Sequence, residues 1–209
     1  MRAKGRLSHE FSVDCYFYLG LGVRNYLLHF LLLASLFMIP KGVSAQVGNN
    51  MTVLANWDNP SLPMYYNLVY NEVFGWHDGN GREYAILGSM AWTHFIEVTN
   101  PAAPVVRDSV AGTFGQCIHR DFKTYGNYCY GVADEGNSAL QVIDMSYLPD
   151  SVHVVYNSAQ FFDRAHNCFV DSASGRLYIV GSNTQNQGVI VLDIGTNPEV
   201  PTLLGSVNL

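Results

Sequence analysis

The chain has 209 residues, of which 48% are hydrophobic and 13% are charged, which is enough apolar material for a folded domain and excludes a disordered chain. Its formal net charge is −6, and the part after residue 45 carries 15 acidic residues against six basic ones. Because phosphate binding needs a basic surface, this balance disfavours nucleic acid or an anionic membrane as a partner.

The N-terminal region has the order of a secretory signal. Four basic residues precede an apolar run at 26–39, and small residues follow the run up to Ala45. We therefore predict that residues 1–45 are a signal peptide with an extended basic region, and that the protein is exported to the cell surface or the extracellular space. An uncleaved signal anchor is the alternative, although the run is shorter than the roughly 20 apolar residues that span a bilayer.

The rest of the chain contains a repeat built on three tyrosines. Tyr84, Tyr128 and Tyr178 lie 44 and 50 residues apart, and each stands in a short β-type stretch that begins near a glycine. Each copy contains four stretches rich in Val, Ile, Tyr and Phe, with no apolar stripe of helical period. Units of this length with four strands are typical of β-propeller blades.

We predict an all-β fold in which residues 46–209 form four-stranded antiparallel blades of β-propeller type, about 67–112, 113–160 and 161–209. An unrelated β-sandwich with similar spacing is the alternative. Closed propellers carry about 4 to 8 blades, so three blades predict an incomplete ring or an N-terminal fragment of a longer protein.

Several segments resemble known secreted repeat proteins. Residues 177–205 resemble the LVIVD repeat, and the Cys-Ile-His-Arg-Asp stretch at 117–121 together with Arg-Ala-His-Asn at 164–167 is similar to the choice-of-anchor B family. The resemblance implies a propeller-like fold and a secreted or surface location. It also implies further repeats and a C-terminal anchor, so that a membrane is contacted only through the signal or through that missing anchor. It implies no particular activity.

Polar residues precede the aligned phenylalanines Phe74, Phe122 and Phe169. If these segments are the inner strands of successive blades, alternate side chains face a central channel and could meet there. The candidate ligand-binding residues are Asn71, Glu72, His119, Arg120, His166 and Asn167.

Two of these residues are histidines, which suits a divalent metal. His119, Asp121 and His166 could bind zinc, with Glu72 or Asp134 as other sources of a carboxylate. The alternative is that the imidazoles only tie neighbouring blades together. The stretch 133–137 could supply oxygen ligands for calcium, but a hairpin turn explains its Gly-Asn pair equally directly.

The pattern favours binding over catalysis. Cys117, Cys129 and Cys168 lie in β-type stretches without a CxxC pair, and no Gly-x-Ser-x-Gly elbow is present. Exposed aromatic residues such as Trp57 and Tyr65 could line a carbohydrate or peptide face, or pack between blades. We therefore predict a non-enzymatic exported scaffold that binds an unknown surface protein or glycan. The alternative is a metal-dependent hydrolase or lyase around His119 and His166.

Overall fold

Short runs of β-branched and aromatic residues, separated by turns rich in Gly, Asn, Asp and Pro, form twelve strands in the part of the chain that the structure describes. The structure, a computed structural model, describes residues 51–184 and 188–208, so the predicted signal peptide lies outside the described residues. The strands are β1 (Tyr70–His77), β2 (Glu83–Ser89), β3 (Trp92–Glu97), β4 (Val105–Ala111), β5 (Arg120–Tyr125), β6 (Tyr128–Ala133), β7 (Leu140–Asp144), β8 (His153–Ser158), β9 (Asn167–Asp171), β10 (Arg176–Val180), β11 (Val189–Asp193) and β12 (Thr202–Val207).

The strands form three antiparallel sheets of four strands each. Sheet 1 contains β1–β4, sheet 2 contains β5–β8 and sheet 3 contains β9–β12, and in every sheet the spatial order follows the order in the chain. Over the described residues, the prediction of an all-β fold with three four-stranded antiparallel units is confirmed. Within the described ranges there is no helix long and apolar enough to cross a membrane.

Consecutive strands are antiparallel, so the connections alternate between two ends of each sheet. The hairpins β1–β2, β5–β6 and β9–β10 lie at one end, which we call the turn end. The connections β4–β5, β6–β7 and β8–β9 lie at the other end, which we call the site end. A loop of one sheet can therefore contact only those loops of the other sheets that lie at the same end.

Two apolar cores join the three sheets. Along β6 the side chains alternate, so that Cys129 packs into the core shared with sheet 1, whereas Tyr130 and Val132 pack into the core shared with sheet 3. Tyr84 and Phe95 are the fully buried rings that sheet 1 contributes. Sheet 2 is buried on both faces, which explains why β6 and β7 are almost entirely buried.

The first strands of the sheets, β1, β5 and β9, lie next to one another. The phenylalanines used to align them do not occupy equivalent positions, however. Phe74 pairs with Ile86, Phe122 with Gly131 and Phe169 with Tyr178. Counted from the tyrosine of each repeat, these partners differ in position, and an irregularity in β1 adds a further register shift. A one-residue shift moves a side chain to the opposite face of its sheet, so the sequence alignment could not predict which faces these rings share.

Candidate ligand-binding cleft

A cleft of about 390 Å³ opens at the site end, where the β4–β5, β6–β7 and β8–β9 connections meet. We call it the acid cleft, because two adjacent carboxylates stand in its wall. Its lining residues are Tyr65, Phe114, Gln116, Asp134, Glu135, Gly136 and Arg164.

Each of the two carboxylates holds a histidine. Glu135 Oε1 lies 2.7 Å from His119 Nδ1, and its Oε2 accepts a hydrogen bond of 3.2 Å from the His119 backbone N–H. Asp134 Oδ2 lies 2.8 Å from His166 Nδ1. Both carboxylates come from the β6–β7 connection, so this one loop positions two imidazoles that belong to different sheets.

The two imidazole rings lie side by side, with 6.2 Å between their centroids. An ionised carboxylate can only accept a hydrogen bond, so each Nδ1 carries the hydrogen that it shares with its carboxylate. That leaves Nε2 of each ring available to a ligand, because the other nitrogen is already committed. Both side chains are more than half exposed, at 54% for His119 and 61% for His166.

The backbone at Gly136 gives the acidic loop its shape. Gly136 has a φ of +62°, and a Cβ there would lie 2.4 Å from the ring of Phe114. Only glycine fits a positive φ and such a close approach without strain. Phe114 therefore packs directly against the loop and forms the apolar wall of the acid cleft beside Glu135.

Arg120, which the sequence predicted as a ligand-binding residue, is buried and does not line the acid cleft. Its Nε donates to the Ser89 carbonyl at 3.0 Å, and its Nη2 donates to the carbonyls of Met90 and Phe114 at 3.3 Å and 3.0 Å. Burial lowers the pKa of Arg120, while Cys117 and Glu135 act in the opposite direction. The guanidinium therefore ties sheet 2 to the β2–β3 turn and to the β4–β5 connection.

Asp121 also acts between sheets. It is buried, its Oδ1 forms an ion pair with Lys123, and its Oδ2 accepts a hydrogen bond of 2.7 Å from the Cys168 backbone N–H. Asn71 has a similar role between sheets 1 and 2, because its amide donates to the Cys117 carbonyl at 2.9 Å. The chain thus uses these two polar side chains as ties.

Glu72 and Asn167 also lie outside the lining of the acid cleft. Glu72 is half-buried on β1, and its pKa is raised by burial and then by the nearby charge of Asp121, with Lys123 acting in the opposite direction. Asn167 is exposed at the start of β9. Of the six predicted ligand-binding residues, only His119 and His166 stand beside the acid cleft, through their carboxylate partners.

The structure brings His119 and His166 together but engages Asp121 elsewhere. Within residues 51–184 and 188–208, no group of three or more His, Cys, Asp or Glu side chains is arranged to hold a metal ion. The stretch 133–137 likewise uses its two carboxylates on the histidines. His119, Asp121 and His166 therefore do not come together as the predicted three-ligand zinc set, and the two imidazoles remain as a pair without that carboxylate.

The three described cysteines are free, buried thiols. Burial raises the pKa of Cys117, with the Arg120 charge lowering it and Glu135 raising it, and burial raises the pKa values of Cys129 and Cys168 as well. A thiol with a raised pKa is a poor nucleophile at neutral pH. These cysteines act as small apolar residues of the cores.

Sequence reasoning missed Phe114, Gln116 and Arg164 as lining residues of one cleft. They come from two connections, and the outermost of them, Phe114 and Arg164, are 50 residues apart in the chain. The available signal was the Asp-Glu-Gly sequence directly after a strand, since Asp and Gly are both typical turn residues. The sequence predicts a calcium loop or a hairpin turn at this stretch, whereas in the structure its two carboxylates hold two histidines.

No protein-family model and no curated protein matches this chain. Among solved structures, the chain is similar to a crystal structure from Bacteroides fragilis NCTC 9343, of a protein described provisionally as a 6-phosphogluconolactonase. The TM-score is 0.53 and the sequences are 11% identical, over 66% of this chain and 39% of that chain. At this identity the likeness concerns the fold alone, and this chain spans well under half the length of that protein.

Proposed function

We propose that this chain is an exported repeat scaffold of β-propeller type, similar to LVIVD-repeat and choice-of-anchor B proteins, that binds a short glycan in the acid cleft. The secretory order of the N-terminal sequence supports export. Adjacent first strands and face-to-face cores between successive four-stranded sheets support a propeller-type arrangement.

The observation that carries the glycan proposal is the chemistry of the acid cleft. Asp134 and Glu135 offer acceptors for hydroxyl groups, while Gln116 and Arg164 offer donors. The rings of Phe114 and Tyr65 offer apolar faces of the kind that can lie against the C–H surface of a sugar. Concave sites of about 300–1,000 Å³ take small ligands, and 390 Å³ therefore suits a short glycan better than a protein surface.

The test is a neutral-oligosaccharide array probed with the chain, followed by calorimetric titration of any glycan that binds. We expect Glu135→Gln, Gln116→Ala and Arg164→Ala each to weaken binding by about tenfold or more, since a lost charged hydrogen bond is worth about 1.5–3 kcal/mol. Asp150→Asn and Arg82→Ala are matched controls, because both residues are exposed at the turn end. The proposal fails if the chain retains no oligosaccharide, or if the three cleft variants bind as tightly as the controls.

A metal-dependent hydrolase or lyase is the second candidate, and the paired imidazoles favour it. Two rings 6.2 Å apart, each with its Nδ1 held by a carboxylate, have the orientation that carboxylate–histidine pairs give to metal ligands. Equilibrium dialysis against Zn²⁺ would test this candidate, with His119→Ala and His166→Ala compared with the exposed control His153→Ala. Stoichiometric zinc that only the first two variants lose would support it, and zinc binding that all three variants retain would contradict it.

A further inference from the structure

The outward face of sheet 3 is apolar. On β10, Leu177 and Ile179 are fully buried against sheet 2, so Tyr178 and Val180 point to the opposite face. The register carries this face across the sheet, because residues directly opposite one another share a face. The apolar members of this face, which we call the open face, are Phe169, Tyr178, Val180, Val189, Val191 and Val207.

The corresponding face of each of the other two sheets is covered. In sheet 1, Tyr84 pairs with Trp76, and both rings pack into the core shared with sheet 2. In sheet 2, Tyr128 pairs with Tyr125, and both pack against the core shared with sheet 3. Tyr84 and Tyr128 therefore each belong to a face on which another four-stranded sheet lies.

The third pair of rings lies on the corresponding face of sheet 3, but no described sheet covers it. Tyr178 pairs with Phe169, and their ring centroids are 6.2 Å apart. Phe169 is 59% exposed and Val207 is 60% exposed. Large exposed apolar patches of this kind mark interaction surfaces. By the logic of the repeat, the surface that fits the open face is another four-stranded sheet of the same type.

The outer face of sheet 1 does not offer that surface. Ile96 is only 3% exposed there, and the ring of Trp57 lies against both Tyr70 and His94. A second copy therefore presents one uncovered sheet face of the required kind, which is its own open face. The rim of the open face carries both charge signs, with Asp171 and Asp193 opposite Arg176, so two copies related by a twofold axis can pair opposite charges around an apolar centre.

We propose that the open face binds the open face of a second copy of this chain and forms a symmetric dimer. This inference does not depend on the acid cleft, which lies at the site end. Four strands of five or six residues bury less than the about 800 Å² per partner of a standard interface, so we expect a dissociation constant in the micromolar range.

Sedimentation velocity between about 1 and 100 µM tests the dimer. Phe169→Lys and Val207→Lys place a charge on the two opposite edge strands of the open face, β9 and β12, and we expect both variants to remain monomeric, with at least a tenfold weaker association. Val73→Lys is the matched control, because Val73 is 62% exposed on β1 of sheet 1. Circular dichroism of every variant shows that the β structure is retained.

Three results would overturn the proposal. One is a chain that stays monomeric at 100 µM. Another is association that survives Phe169→Lys and Val207→Lys, which would place the contact elsewhere, including the apolar run at 26–39 that all variants share. The third is a series of oligomers that grows beyond the dimer with concentration, because a symmetric contact closes at two copies whereas a head-to-tail contact does not.

Discussion

The carboxylate of Asp121 accepts a hydrogen bond of 2.7 Å from the backbone N–H of Cys168, and so joins the first strand of sheet 2 to the first strand of sheet 3. Its other oxygen pairs with Lys123, and both Asp121 and Cys168 are buried. A side chain that looked like a metal ligand in the sequence is therefore a tie between sheets.

Replacing Asp121 tests the strength of this tie. Asp121→Asn removes the ion pair with Lys123 and weakens the bond to the Cys168 N–H, so we expect the free energy of unfolding to fall by about 1.5–3 kcal/mol. Urea titration followed by tryptophan fluorescence measures the change. Asp150→Asn, an exposed control, should change stability by less than about 0.5 kcal/mol. Equal effects of the two substitutions would show that Asp121 does not tie the sheets.

The hydroxyl groups of two buried tyrosines are expected to have opposite effects on the free energy of unfolding. The Tyr84 hydroxyl has no hydrogen bond partner among the described residues, whereas the Tyr130 hydroxyl donates to the Pro198 carbonyl at 2.8 Å. A buried unpaired hydroxyl costs free energy and a paired one contributes it. We expect Tyr84→Phe to stabilise the fold by about 1 kcal/mol and Tyr130→Phe to destabilise it by about 1 kcal/mol. Thermal unfolding of both variants beside the parent chain is the measurement, and a loss of stability in Tyr84→Phe would show that its hydroxyl is satisfied.

Buried His94 makes the fold sensitive to acid. Its ring lies between the hydroxyls of Ser89 and Ser109, and burial lowers its pKa below the ordinary 6.5, with the charge of Arg120 lowering it further. Below pH 6.5 the unfolded chain therefore binds more protons at this residue than the folded chain does. Its contribution to stability is complete above pH 6.5 and is lost as the pH falls towards the lowered pKa.

We expect His94→Gln to reduce the loss of unfolding free energy between pH 7.5 and pH 5.5, by at most about 1.4 kcal/mol per pH unit. Urea titrations at the two pH values give the difference. The exposed control His153→Gln should leave the pH dependence unchanged. A parent-like pH dependence in His94→Gln would mean that His94 is not the acid-sensitive group.

Glu72 has the opposite pH dependence. Burial raises its pKa above 4.5, Asp121 raises it further, and Lys123 opposes them. Above pH 4.5 the folded chain therefore holds its proton more tightly than the unfolded chain, and stability falls as the pH rises through this window. Glu72→Gln should raise the melting temperature at pH 7 and leave it nearly unchanged at pH 4, relative to the exposed control Glu83→Gln. Scanning calorimetry at both pH values decides, and a destabilised Glu72→Gln at pH 7 would contradict the expectation.

The fold class was predictable from local patterns. The stretches around Tyr84, Tyr128 and Tyr178 recur with similar flanking glycines and acidic strand ends, and strand formation depends on alternation and turn residues within a few positions. Each predicted unit accordingly contains one four-stranded sheet. Register was not predictable, because a shift of one residue changes the face. Counted from the repeat tyrosines, the partner of Phe122 is displaced by one residue from that of Phe74 and by three from that of Phe169.

The candidate site was predictable only in part. That His119 and His166 lie together followed from their similar places before two first strands. The sequence did not predict that Glu135 and Asp134 are their hydrogen-bond partners, because the partner depends on where the β6–β7 loop of sheet 2 lies relative to the start of sheet 3. The role of Arg120 was equally unpredictable. It directly follows His119 in the chain, but its guanidinium lies in the interior and donates to three backbone carbonyls.

The sequence by itself determined the strands, their grouping in fours and the alternation of apolar side chains, because these depend on local backbone preference and on period-two patterning. Only the tertiary structure decided which polar residues became ties, as with Asp121 and Arg120, and which gathered at the acid cleft. The physical reason is that burial and hydrogen bonding between sheets depend on strand register and on the positions of loops that are far apart in the chain. Neither the register nor the loop positions can be recognised from the local sequence.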